Sequence, residues 1–208
     1  SVRCAVDSLR ARYPNMPIIV ADDSVNPRKM ADVDWHRLPY DTGLSAGRNY
    51  MLECVQTPYF LLVDDDFVFT ESADLQRMYD VLRKHDLDLV AGAVRSTTGS
   101  CSVYHYEGVI EVADGHLRVE PRMHEEYPDH GRCDLVLNFF IADATAVRTI
   151  GSWDPELKLS EHLEFFLRAR DRLKIGYVPD VVVDHDKAVK LQDADYRVQR
   201  ETKALIGR

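Results

Sequence analysis

The chain has no apolar run approaching the roughly 18 residues that a membrane-spanning helix needs. No leader-like segment stands at Ser1. The expectation is a cytosolic protein, or one whose anchor lies outside this sequence. Its four cysteines, Cys4, Cys54, Cys101 and Cys133, never occur as C-x-x-C, so the common zinc spacings are excluded. They read as free buried thiols, with a Cys101–Cys133 disulfide as the alternative in an oxidising compartment. Repeats, low-complexity stretches and linkers are also missing. No basic patch offsets the net charge of -9, which argues against a nucleic-acid backbone as partner. An acidic protein can still bind an anionic nucleotide if a divalent cation bridges them.

What remains is an ordinary globular composition, 45% hydrophobic over 208 residues, enough for one domain with a real core. Apolar residues alternate between helical and strand spacing. Helices are expected at Val2 to Tyr13, Ser45 to Gln56, Glu71 to His85, Asp143 to Ile150 and from Ser160, as cap, to about Arg172. On the third of these, Leu75, Met78, Tyr79 and Leu82 share one face. Strands are expected at Pro17 to Ala21, Tyr59 to Val63, Leu87 to Val94 and Leu135 to Ala142, with shorter runs at Lys174 to Tyr177 and Val181 to Val183. Residues 96–134 are less regular, with hairpin alternation at Gly108 to Val112 and a polar, His-rich loop from Met123 to His130. The tail from Leu191 to Leu205 reads as a surface helix. Strands alternating with helices predict an α/β fold with a mixed, mostly parallel sheet, in which ligands bind beyond the carboxyl ends of the strands.

Two expected strands end in carboxylates: Val20-Ala21 runs into Asp22-Asp23, and Leu62-Val63 into Asp64-Asp65-Asp66. Adjacent carboxylates beside a hydrophobic core repel one another, and a hard divalent cation removes that cost. Alternation places Asp64 and Asp66 on one side of an extended chain. A solvated acidic turn is the plainer explanation of such a triplet, but the buried strand before it and Phe67-Val68-Phe69 after it favour a site. Asp22-Asp23-Ser24 suits either a nucleobase or ribose contact or an Asx turn. Ser45-Ala46-Gly47-Arg48-Asn49 opens a helix whose N-terminus favours an anion, with Arg48 available for a phosphate or base. Glu161 and Glu164 share a helix face, and either carboxylate, or His162, has the chemistry of a general base. Acidic residues in a first helical turn also simply suit the macrodipole. His185, in Val183-Asp184-His185-Asp186, is a borderline metal ligand or a structural histidine.

In this order these segments resemble the GT-A glycosyltransferases, and more narrowly the β-1,4-N-acetylgalactosaminyltransferases that include ganglioside synthase. The resemblance rests on Ile19 to Ser24, Ala46 to Asn49, Val63 to Phe69, Leu87 to Val90, Val136 to Phe140, His162 to Phe166 and Val181 to His185, spanning about Arg10 to Leu191. It implies a Rossmann-like nucleotide-binding sheet and an inverting transfer from a UDP-sugar, N-acetylgalactosamine first, to an oligosaccharide or glycolipid hydroxyl, with Mn²⁺ or Mg²⁺ as cofactor. Asp22 would bind uracil or ribose, with Arg48 near the uridine diphosphate, and Asp23, Asp64 and Asp65 would complete the donor-binding set. Asp64 and Asp66 would form the DxD motif, Asp66 being favoured as the direct metal ligand and His185 completing the set. The base stays open among Glu161, His162 and Glu164, with Glu164 favoured. The resemblance also implies one catalytic domain over 1–208, with a nucleotide-binding half at 1–95 and an acceptor-binding half at 96–208. The Golgi lumen would be its compartment if an anchor lies elsewhere, and a homodimer is compatible with it.

Two departures stand out. The fold family begins with a strand before the first helix, and this chain starts in the helix. Many inverting relatives carry Glu-Asp where this chain has Glu161-His162. The first departure supports a competing reading, a carbohydrate-binding or scaffold domain without turnover. A nucleotidyltransferase would need a Gly-rich basic phosphate loop, and none is visible.

Overall fold

A computed structural model describes residues 1–99, 101–104, 106–158 and 161–185. The elements in chain order are α1 (Val2–Arg12), β1 (Ile19–Asp22), β2 (Asp34–Arg37), α2 (Leu44–Cys54), β3 (Tyr59–Leu62), β4 (Phe67–Val68), α3 (Leu75–Lys84) and β5 (Leu89–Ser96). There follow β6 (Val109–Ala113), β7 (His116–Glu120), β8 (Glu125–Glu126), β9 (Gly131–Arg132), β10 (Phe140–Asp143), α4 (Ala144–Thr149), α5 (Glu161–Ala169) and β11 (Ile175–His185).

The main sheet has the order β3-β10-β5-β11-β9-β8, with β4 added against β11. β10 runs antiparallel to both β3 and β5, and β5 runs parallel to β11. The three strands β3, β5 and β11 therefore share one direction, giving the expected mixed α/β sheet flanked by helices. One hydrophobic cluster, around Phe140, Trp153, Phe165 and Phe166, packs on one face. A second, around Phe69, Met78, Leu82 and Phe139, packs on the other. Chain on both sides of residue 96 contributes to this sheet.

Local chemistry explains the helix ends. Asp74 caps α3 by accepting from Arg77 N at 3.1 Å, and Asp143 caps α4 by accepting from Thr145 N at 2.7 Å and Ala146 N at 2.9 Å. On α3, Leu75, Met78, Val81 and Leu82 are buried, whereas Tyr79 is exposed and packs edge-on against Tyr59. The expected cap Ser160 and the tail 191–205 lie outside the described residues.

Several expectations change. β1 and β2 form a parallel pair of their own, so the two acidic strand ends do not share one sheet. The runs 174–177 and 181–183 are one strand, β11, with a register shift between Val178 and Val182 around Pro179-Asp180. Proline supplies no ladder donor, which suits a bulge. The run 135–142 is a ladder strand only from Phe140, because Phe139 N bonds back to Leu137 O at 2.8 Å and bends the chain at Asn138. The four cysteines are free: Cys133 is buried while Cys4 and Cys101 are exposed, so the Cys101–Cys133 disulfide does not form.

Residues 96–134 divide between the two ends of the sheet. Ser102 and Tyr104 stay beside Ser96 and Val94 at the carboxyl end of β5. Gly131 and Arg132 pair with Tyr177 and Gly176 near the start of β11. The His-rich stretch is thus at the end opposite Asp64-Asp65-Asp66.

Candidate active site

The site is built where β3 and β11 end. The antiparallel pairing of β4 with β11 sets His185 opposite Phe67. That register brings His185 Nε2 to 2.8 Å from Asp66 Oδ2, although the two are 119 residues apart. Asp66 is only 6% exposed. His185 is held edge-on between the rings of Phe67 and Tyr104. Beside it, Arg95 donates to Asp184 at 2.7 Å. Asp65, between the paired carboxylates, is exposed.

Asp64 belongs to a second network. Arg48 on α2 donates through Nη1 to Glu161 Oε1 at 2.5 Å and through Nη2 to Asp64 Oδ1 at 3.5 Å. Arg48 is 5% exposed and Glu161 4%, so this is a buried ion pair. The guanidinium also lies over Trp153, 5.8 Å from the ring centre. Asn49 fixes that tryptophan, donating to Trp153 O at 2.7 Å and accepting from Trp153 N at 3.0 Å. On the other side, Asn138 Nδ2 donates to Asp64 Oδ1 at 3.3 Å, and Asn138 Oδ1 lies 2.8 Å from His162 Nδ1.

The imidazole of His162 is pushed down to about 4 by burial first and by the nearby Arg48 charge second. With Nδ1–H bonded to Asn138, Nε2 is left buried and without a partner. His162 is therefore a neutral hydrogen-bonding group at physiological pH and a weak base. Its effect on stability has a definite sign. The unfolded imidazole titrates near 6.5 and the folded one lower, so nothing is lost above pH 6.5. Stability then falls as pH drops through the window from 6.5 to about 4. The loss is at most about 3 kcal/mol. Urea unfolding of wild type and His162→Gln at pH 7 and pH 4.5 reads this out. The wild type should lose more stability than the variant, and equal losses would refute the assignment.

The remaining expected residues sit elsewhere on the rim. Asp22 caps its own turn, accepting from Ser24 N at 3.0 Å, Ser24 Oγ at 2.6 Å and Arg28 N at 3.1 Å. Partial burial pushes its carboxyl up, but these hydrogen bonds outweigh that and hold it below the usual range. Asp23 accepts from Gly43 N at 3.0 Å, which fixes the entry to α2. Gly43 has φ +88°, and a Cβ there would also meet Lys158 Cγ at 2.9 Å, so the turn requires glycine. Glu164 is not in the Arg48 network. Both its oxygens are taken by Arg168, which also donates to Ile150 O at 2.8 Å and Ser152 O at 2.7 Å. Its place is on the flank that leads to Trp153.

Sequence reasoning missed Asn138 as a site residue. The signal was present, a lone amide inside the apolar run Leu135 to Ala142. It also missed Glu161 as the partner of Arg48, 113 residues away, for which no local pattern exists.

Comparison with known proteins identifies the family. The model of glycosyl transferase family 2 matches residues 1–145. β-1,4 N-acetylgalactosaminyltransferase 1 of Rattus norvegicus is 41% identical over 199 residues, covering 91% of this chain and 37% of that protein. Its Homo sapiens counterpart is 39% identical over 201 residues, again covering 91% and 37%. β-1,4 N-acetylgalactosaminyltransferase 2 of Mus musculus is 33% identical over 198 residues, covering 88% and 36%. The chain thus spans little more than a third of the length of these relatives. Among solved structures, GalNAc-T7 with UDP, GalNAc and Mn²⁺ superposes with a TM-score of 0.69 at 13% identity, covering 97% of this chain and 44% of that one. S. aureus TarS 1–349 in complex with UDP gives 0.65 at 14% identity, covering 99% and 61%. These likenesses speak for the GT-A-type fold. The family match over 1–145 leads to one conclusion: the chain belongs to glycosyl transferase family 2.

Proposed function

We propose that this domain transfers a sugar, N-acetylgalactosamine first, from a UDP-sugar to a glycan hydroxyl with inversion, using a divalent cation at the acidic strand end. The observation that carries the reading is the meeting of buried Asp66 with His185 beside Asp64. Two carboxylates and one imidazole are a donor set that suits Mn²⁺ or Mg²⁺. Asp64, Asp66 and His185 would hold the ion, which supplies charge stabilisation to a departing diphosphate when bound. The relatives named above are N-acetylgalactosaminyltransferases, and one structural neighbour carries UDP, GalNAc and Mn²⁺.

The chain's own groups then divide the work. Asp22 and Asp23 flank the uridine. Arg48, held by Glu161, and Asn138, held by His162, fix the orientation of Asp64. Residues 1–95 supply most of the donor side, joined there by Asn138, Glu161 and His185, and the rest of 96–208 serves the acceptor. Tyr106, exposed and packed on His162, offers an aromatic face to an acceptor sugar. The proton of the acceptor hydroxyl goes to a carboxylate of α5, because His162 Nδ1 is already held by Asn138 and Nε2 is buried. Glu164 is assigned that role because its side chain reaches solvent while that of Glu161 is buried; Arg168, which holds both Glu164 oxygens, would have to release one of them. No helix among the described residues is long and apolar enough to cross a membrane. A Golgi-lumen location belongs to the same reading, drawn from the mammalian relatives.

Calorimetric titration with UDP, with and without Mn²⁺, tests the cation. Binding should require it, and binding indifferent to Mn²⁺ would overturn the proposal. UDP release over a panel of UDP-sugars and acceptors then identifies the donor. Glu164→Gln should lower kcat by roughly a hundredfold while UDP binding is kept. An unchanged kcat moves the base to another residue.

A further inference from the structure

The His-rich stretch that the reaction does not use supplies a separate feature. We propose that His85, Asp129 and His130 form a second metal site, selective for a zinc-type cation and remote from the acidic strand end. His85 is the C-cap of α3, and His130 directly precedes β9. His85 Nε2 lies 3.0 Å from Asp129 Oδ2, and His130 Nδ1 lies 3.1 Å from Asp129 Oδ1. One donor atom from each of the three falls within 4.8 Å of the others. Zinc bonds of about 2.0–2.2 Å in a tetrahedron place neighbouring donors roughly 3.3 Å apart. Small rotations of the side chains therefore close the set on one ion.

The surroundings fix the ligands beforehand. The rings of His85 and His130 are 4.3 Å apart between centres. Tyr127 stacks on His130 at 4.7 Å and 8°. The His130 side chain is 1% exposed, while those of His85 and Asp129 are 24% and 20% exposed. The cluster thus has a rigid buried wall and a solvent side, through which an ion enters and a water can take the fourth position. The C-terminal end of α3 favours a cation. Lys84 Nζ, 2.7 Å from Asp129, competes for that carboxylate, but its side chain is 67% exposed and can swing into water.

Chemistry separates this set from the other. Two imidazoles and one carboxylate favour zinc, cobalt or nickel, whereas two carboxylates and one imidazole suit manganese or magnesium. Position separates them as well. Tyr177, beside Gly131, and His185 pair with Ala91 and Ser96 of β5, so five residues of sheet separate them, roughly 16 Å at about 3.3 Å per residue. An ion here would tie the end of α3 to the segment before β9, so its expected role is structural. The inference does not depend on the proposed transfer reaction.

The test is Zn²⁺ titration of the metal-stripped full chain against a chromophoric chelator, with Co²⁺ absorption as a second readout. Wild type and His185→Gln should share one high-affinity Zn²⁺ site, show the intense visible band of tetrahedral Co²⁺, and melt at higher temperature with Zn²⁺. His85→Gln, and independently Asp129→Asn, should weaken Zn²⁺ binding by about a hundredfold or more and abolish the band. Thermal unfolding without metal shows that both variants fold. The site is refuted by Zn²⁺ binding that His185→Gln removes and His85→Gln does not. Absence of saturable Zn²⁺ binding to the wild type refutes it equally, leaving Asp129 as a hydrogen-bond bridge between two histidines.

Discussion

Asp66→Asn should lower kcat/KM for sugar transfer by roughly a thousandfold, about 4 kcal/mol of transition-state stabilisation. Asp66 is nearly isosteric with asparagine and 6% exposed, so the packing around it survives. The change removes one unit of charge from the donor set and turns the group facing His185 Nε2 from a carboxylate into an amide. The fold itself should not suffer, because Asp64 and Asp65 are relieved of a neighbouring charge. Three measurements separate a site effect from a folding effect: initial-rate kinetics, Mn²⁺-dependent UDP binding and thermal unfolding. A variant that keeps wild-type activity at ordinary Mn²⁺ concentrations would remove Asp66 from the reaction. So would one whose activity loss tracks a large fall in melting temperature.

Breaking the Arg48–Glu161 pair should produce the largest loss of stability. Removing one member of a buried ion pair strands the other charge and costs about 3–5 kcal/mol. That is a large part of the roughly 5–15 kcal/mol that holds a domain together. Glu161→Leu leaves the guanidinium among Trp153, Asp64 and apolar packing, with one carboxylate contact at 3.5 Å instead of two. The double variant Arg48→Met with Glu161→Leu replaces both charges by apolar groups and should recover most of the stability. It should not recover activity, because Asp64 also loses its Arg48 contact. Urea unfolding of both single variants and the double closes the cycle. A neutral Glu161→Leu, or a double variant no more stable than the singles, would show that the pair does not act as a buried unit.

These two sites differ in how far they can be read from sequence. The acidic triplet after a β-branched and aromatic run is a local pattern, and local patterns survive folding. The strand Tyr59 to Leu62 is of the same kind, whereas α3 starts at Leu75 behind its Asp74 cap and not at the expected Glu71. β2 and β4 escaped because four and two residues carry too little periodicity to stand out. The bend at Asn138 escaped because buried apolar residues look alike whether they are hydrogen-bonded in a ladder or not. The Cys101–Cys133 pairing failed because spacing carries no information about which cysteine is buried.

The sequence by itself determined the α/β alternation, the acidic strand ends and the residue types available for a cation and a base. Each depends on side-chain chemistry within a few positions. The family resemblance already paired His185 with Asp66, and the β4–β11 register brings the two into contact. The other partnerships came only from the tertiary structure: Arg48 meets Glu161 because α2 and α5 converge beside Asp64. His85 and His130 close on Asp129 at the far end of the sheet. Partners more than 40 residues apart are brought together by sheet order and helix packing, which the whole chain sets and no local pattern encodes.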